Sequence, residues 1–212
     1  AFDAMSTVHP ADRIARIPDP QEPIPRIALP IVALFAGGWA LWLGSTALVV
    51  AGVLPWWGGT LLNAVAGFVL FTVAHDTSHN SVSTSERVTT WLGRLSVPVF
   101  APQASYRVWR FIHMQHHRFT NLDDGRDPDA YTHGGPAWQL PLRWATIDLW
   151  YMVFYLRHVS RRPKGERREL AVQWVLLGLA LAALVATGHA FEVLVLYLLP
   201  ARLAVIFLAW SF

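Results

Sequence analysis

The stretch 27–79, IALPIVALFAGGWALWLGSTALVVAGVLPWWGGTLLNAVAGFVLFTVAHDTSH, decides the fold. From residue 27 to residue 74 it holds no charged side chain. A helix needs only about 20 apolar residues to cross a bilayer, so two spans fit. The first is expected over 30–53; its Gly37, Gly38 and Gly44 are tolerated because backbone in lipid must bond within its own helix, whatever its propensity. Pro55-Trp56-Trp57-Gly58-Gly59 combines turn formers with indoles that favour the headgroup level, so the chain should reverse there. A second span over 60–79 follows, with Ala64, Ala66 and Gly67 allowing close helix packing. It ends on His75-Asp76-Thr77-Ser78-His79.

The composition agrees. Of 212 residues, 54% are hydrophobic and only 15% charged, with 11 Trp, which describes an integral membrane protein better than a soluble domain. There is no cysteine, so disulfides, thiolate metal sites and cysteine nucleophiles are excluded together, and any metal must be held by imidazole and oxygen. Residues 1–29, rich in proline and mixed charge, lack the pattern of a secretory signal and are expected to form a cytoplasmic, poorly ordered arm.

Charges return over 80–169, where proline is frequent and two apolar segments, 88–99 and 144–156, are too short to span. These should be helices lying in the interface. A basic run over 157–168 precedes a third span over 170–187, a short turn at Gly188-His189, and a fourth span to residue 212. The expected fold is therefore all-α: four transmembrane helices in two hairpins, 30–79 and 170–212, flanking a helical region over 80–169. Of 17 Lys and Arg, three lie in 1–26, thirteen in 87–168 and one is Arg202. Loops rich in these residues stay cytoplasmic, which puts the histidines of both clusters on that side.

The second cluster is His113-Met114-Gln115-His116-His117, and five of the nine histidines fall in the two clusters. His75 and His79, four apart on a helix, share one face. His113 can share a face with either partner, while His116 and His117 diverge by about a third of a turn. A diverging pair can serve two ions, or one ion and a neighbouring contact. Five imidazoles exceed the three or four protein ligands of a zinc site and hint at two metals. Imidazole alone suits Zn, Cu, Fe or Ni, so ligand type does not select among them.

HDTSH at the end of the second span, then HMQHH, then Arg126-Asp127-Pro128-Asp129, resemble the first two histidine boxes and the acidic turn of the membrane fatty acid desaturases. The resemblance covers residues 30–212. It implies an oxygen-dependent oxidoreductase acting on acyl lipids, with His75, His79, His113, His116 and His117 as ligands of two non-haem iron ions and dioxygen as co-substrate. It also implies an electron donor of the ferredoxin or cytochrome b5 type. That family carries a third box, HX2HH, after the fourth span, and these 212 residues hold none. The remaining ligands are therefore expected beyond Phe212, and the 212-residue piece alone is expected to be inactive and to bind iron weakly.

Removing hydrogen from an unactivated carbon needs a metal oxidant that side chains cannot supply; the protein positions it. Asp76, Asp127 and Asp129 are candidates to orient metal-bound imidazoles, since carboxylates hydrogen-bonded to the ligands usually do this. Tyr106, Trp109 and Phe111 are candidates for a substrate entrance. His133, His158 and His189 are expected to be ordinary, and Arg202, costly in mid-membrane, should pair inside the bundle. The basic run reads first as a topology signal in contact with anionic lipid, and second as a docking face for an acidic electron donor. No nucleic-acid partner is expected. Alternatives are a hydroxylase or carotenoid ketolase on the same scaffold, an intramembrane zinc protease suggested by the likeness of HDTSH to H-E-x-x-H, and a metal-binding or transport protein.

Overall fold

A computed structural model describes residues 24–120, 122 and 124–211; most of the expected N-terminal arm lies outside them. The described residues are helical and contain no strand. Among the described residues four helices are long and apolar enough to cross a membrane: α1 (Leu29–Val50), α2 (Trp56–Ser78), α6 (Lys164–Ala186) and α7 (Ala190–Ser211). Between them lie α3 (Glu86–Phe100), α4 (Tyr106–Phe119) and α5 (Leu140–His158), with a 3-10 turn over Pro128–Thr132.

Two boundaries differ from the sequence reading. The reversal between α1 and α2 comes at 51–55, where Gly52 takes a left-handed φ of +72° that favours glycine, and Pro55 caps α2 so that Trp56 already begins it. Gly58 and Gly59 are helical. A Cβ on Gly59 would strike the Val49 side chain and come within 3.1 Å of Leu196, so the residue serves close approach of three helices. Helix α6 starts at Lys164, not near 170. Pro163 caps it and Glu166 lies in its first turn, where the helix dipole favours an acid, so the last part of the basic run, 164–168, is the start of this helix.

Helix α2 is the most buried of the four spans and α6 the least. α2 runs parallel to α7: Gly59 meets Leu196, Gly67 meets Ala204, and Phe68 meets Phe207 edge-on at 5.4 Å. Helix α7 contains a π-turn over Leu194–Leu198, two residues before Pro200. Proline has no N–H to give the carbonyl four residues back, which leaves Leu196 O without its helical donor. Asn63 Nδ2 on α2 supplies one at 2.8 Å, and Thr60 Oγ1 donates to Val195 O at 2.7 Å. Asn63 Oδ1 in turn accepts from Ser45 on α1. The polar side chains of this bundle thus complete backbone that lipid could not serve.

The core lies where α3, α4 and α5 meet one end of α2 and α7, around Val97, Phe100, Val108, Trp109, Ile112, Phe154 and Tyr155. Gly93 on α3 is required there, because a Cβ would enter the Tyr106 ring, whose hydroxyl is fixed by donating to Thr77 O. Gly93→Ala is expected to destabilise the chain by about 1–3 kcal/mol, the range for overpacking a well-filled core. An unchanged melting temperature in detergent would contradict this packing.

Arg202 does pair inside the bundle. Its guanidinium bonds Asp148 of α5 and donates to Ala145 O at 2.6 Å, joining α5 to the fourth span. Across the molecule Glu169 accepts from Arg94 on α3 at 2.5 Å and pairs with Arg107 on α4 at 3.3 Å, tying both to the start of α6.

Candidate metal centre

Helix α2 ends with the unpaired carbonyls every helix C-terminus leaves. A stripe on α4 meets them. Tyr106 donates to Thr77 O at 2.9 Å, and Arg110 Nε donates to Ser78 O at 3.0 Å. Continuing the same stripe by three and four residues brings His113 and His117 against His75 and His79. The helix spacing that docks α4 on the end of α2 therefore also assembles the histidines.

One ring nitrogen from each of His75, His79, His113 and His117 lies within 4.8 Å of the others. Nε2 of His113 is 3.0 Å from Nε2 of His79 and 3.1 Å from Nε2 of His117. Two nitrogens bound at right angles to one ion at about 2.1 Å would stand about 3 Å apart, so the spacings of His113 to His79 and to His117 are those of neighbouring ligands. His75 Nδ1 is 2.9 Å from Asp76 Oδ1, which directs its other nitrogen inward. The Trp109 ring lies parallel to that of His113, centroids 5.9 Å apart, and forms its apolar backing.

His113 is pushed down to about 3 from an ordinary 6.5, first by burial and then by its imidazole neighbours. His79 and His117 are lowered for the same reasons in the same order. The three are neutral at neutral pH, the form that binds a metal. The fold refuses a proton that the unfolded chain accepts near 6.5, so this contribution to stability is present above about pH 6.5 and is lost as pH falls toward 3. The metal-free chain should melt at progressively lower temperature across that window; a flat profile would contradict the burial of His113.

His116 goes elsewhere, as its divergence from His117 requires. Its Nδ1 is 2.9 Å from Asp127 Oδ1 and 3.5 Å from Asp129 Oδ2, leaving Nε2 as the second donor atom of the ring. Asp127 also accepts the N–H of Asp129 at 2.9 Å and so builds the turn that presents both acids. Asp129 accepts from the Tyr151 hydroxyl at 2.7 Å.

A cavity of about 430 Å³ opens beside these residues. His75, His113, His116 and His117 form one wall, and Trp109, Ile112, Ile147, Val205 and Leu208 form an apolar one. Of the three residues expected at a substrate entrance, only Trp109 lines it. Tyr106 is buried at 2% exposure beneath the histidines. Phe111 points to the other side of α4, where the Arg162 guanidinium covers its ring at 3.7 Å. His133, expected to be ordinary, does line the cavity, and no spacing in the sequence marks it. His158 bonds Phe154 O at 2.8 Å, and His189 bonds Thr187 at the far end of the bundle.

The profile of the family described as fatty acid desaturase matches residues 51–212. Among curated proteins, an sn-1 acyl-lipid omega-3 desaturase (ferredoxin) of Synechocystis sp. is 38% identical over 65 residues, 30% of this chain and 17% of that protein. A chloroplastic omega-6 fatty acid desaturase of Spinacia oleracea is 41% identical over 71 residues, 32% of this chain and 14% of that protein. The matched parts thus cover about a sixth of one relative's length and a seventh of the other's. With a profile match that runs through both histidine clusters, the chain belongs to the fatty acid desaturase family.

Proposed function

We propose that this chain is the membrane-bound catalytic part of an oxygen-dependent acyl-lipid desaturase, with His75, His79, His113, His116 and His117 as ligands of two iron ions. The observation that carries the reading is the convergence of four imidazoles from two helices beside a half-apolar cavity. Five imidazoles exceed the three or four protein ligands of a zinc site, and His116 stands apart from the other four, beside Asp127 and Asp129. Iron with dioxygen supplies the hydrogen removal that side chains cannot perform. Asp76 holds His75, and Asp127 with Asp129 holds His116, each by the nitrogen facing away from the donor atom. Ile112, Ile147, Val205 and Leu208 line the cavity and would receive the methylenes of an acyl chain and exclude water, so that this apolar lining fixes which carbon is presented to the histidines. The substrate would come from the bilayer, since the cavity is bounded by the spanning helix α7.

Electrons would come from a carrier of the ferredoxin or cytochrome b5 type. The name of the Synechocystis relative includes ferredoxin. Arg157, Arg161, Lys164, Arg167 and Arg168 are exposed from the end of α5 to the start of α6 and offer basic charge suited to an acidic carrier. The same residues favour a cytoplasmic position for this end of the bundle. The family match argues against the zinc-protease reading of HDTSH.

Mass spectrometry of lipids from cells expressing the full protein tests the reading. Loss of two hydrogens from an acyl chain supports desaturation; gain of oxygen would assign a hydroxylase or ketolase on the same scaffold.

A further inference from the structure

Helix α5 grips the acidic turn that faces His116. Trp150 Nε1 donates to Pro128 O at 3.1 Å, Trp144 Nε1 to Thr132 O at 3.1 Å, and Arg143 to Tyr131 O at 3.3 Å. The Tyr131 ring stacks on Trp150 at 5.1 Å, 11° from parallel, and its hydroxyl meets Thr146 at 2.9 Å. Positions 143, 144, 147, 150 and 151 share one face of a 3.6-residue helix. The bonds from 143, 144 and 150 address backbone carbonyls, and would hold a turn of any sequence. Tyr151 addresses an acid of the turn. Its hydroxyl donates to Asp129 Oδ1 at 2.7 Å, while Oδ2 of the same carboxylate faces His116 Nδ1 at 3.5 Å.

Two carboxylates beside one ring N–H compete for it and repel each other. Asp127 takes the N–H at 2.9 Å. Asp129, whose side chain keeps 30% exposure, is held by a second donor, which offsets the cost of withdrawing part of a carboxylate from water. Tyr151 is that donor. Its own proton is secure: burial first, and then Asp129, push the phenol well above its usual range.

We propose that Tyr151 is a positioning residue for His116: by anchoring Asp129 it keeps two acids on Nδ1, so that the ring stays in the Nδ1–H tautomer with Nε2 as its donor atom. The functional consequence rests on the reading of His116 as a metal ligand; the positioning itself does not.

The test uses the full protein, labelled with 15N-histidine and free of metal, in detergent micelles. Wild-type His116 is expected as a single Nδ1–H tautomer. Tyr151→Phe is expected to give an exchanging mixture, the tautomer ratio falling about tenfold, in line with the loss of an orienting partner. Trp150→Phe removes a bond to the same turn without touching Asp129, and is expected to lower the melting temperature while leaving the tautomer single. A Tyr151→Phe spectrum identical to wild type overturns the proposal, and so does an equal change in Trp150→Phe. A separate Co²⁺ titration reads the consequence, with binding expected to weaken about 10–100-fold in Tyr151→Phe. Should the wild type bind no Co²⁺, the ligand reading of His116 falls, while the tautomer result still decides the role of Tyr151.

Discussion

His113→Ala is expected to strip the centre of its metal and abolish turnover, the largest functional effect of any single substitution in the chain. His113 is the hub of the cluster, with its Nε2 about equally close to those of His79 and His117, 3.0 and 3.1 Å away. It is also the histidine whose proton affinity burial lowers most clearly, so it meets the metal as a ready base. Loss of a carboxylate that merely orients a ligand costs about 10–100-fold in affinity, and loss of the hub should exceed the upper figure. The fold should survive, because α4 is docked by Tyr106 and Arg110 rather than by the histidines. Iron analysis of the purified full protein, beside its melting temperature, checks both halves. Iron retained at the wild-type level would contradict the assignment.

The largest effect on stability is expected from Arg202→Met. Removing one partner of a buried ion pair leaves the other charge uncompensated, at about 3–5 kcal/mol. Asp148 is the stranded group, its side chain 6% exposed. The Arg202 side chain keeps 35% of its exposure, so part of its charge is relaxed outside the protein and the expected loss is at the low end, about 3 kcal/mol. Replacing both, Arg202→Met with Asp148→Leu, should restore most of it, because an apolar pair of similar volume is often as stable as the ions. Thermal unfolding of the four proteins forms a double-mutant cycle. A double variant as unstable as the single one would show that Arg202 acts through something other than Asp148.

The four spans were legible because lipid imposes one requirement, a long uncharged run, that needs no knowledge of neighbours. The histidine pairs were legible for a similar reason: spacings of three and four fix a shared helix face before any packing is known. The same geometry could have removed Phe111 from the entrance, since at 100° per residue it faces away from Trp109 and His113. Tyr106 was harder to place. It shares their stripe, and only the fit of its ring against Gly93 shows that it lies beneath the site. The Arg202 to Asp148 pair, the grip of α5 on the acidic turn, and the position of His133 join residues far apart in sequence, and local periodicity carries no information about them. Pro200 was visible, but that Asn63 would serve the carbonyl it releases depends on the register of α2 against α7.

The central claim is that imidazoles from α2 and α4 hold the metal. X-ray absorption at the iron edge of the purified full protein tests it most directly. The predicted spectrum shows nitrogen neighbours at about 2.1 Å with the outer-shell scattering of imidazole rings, diminished in His113→Ala. A spectrum without imidazole scattering, or one that His113→Ala leaves unchanged, would contradict it.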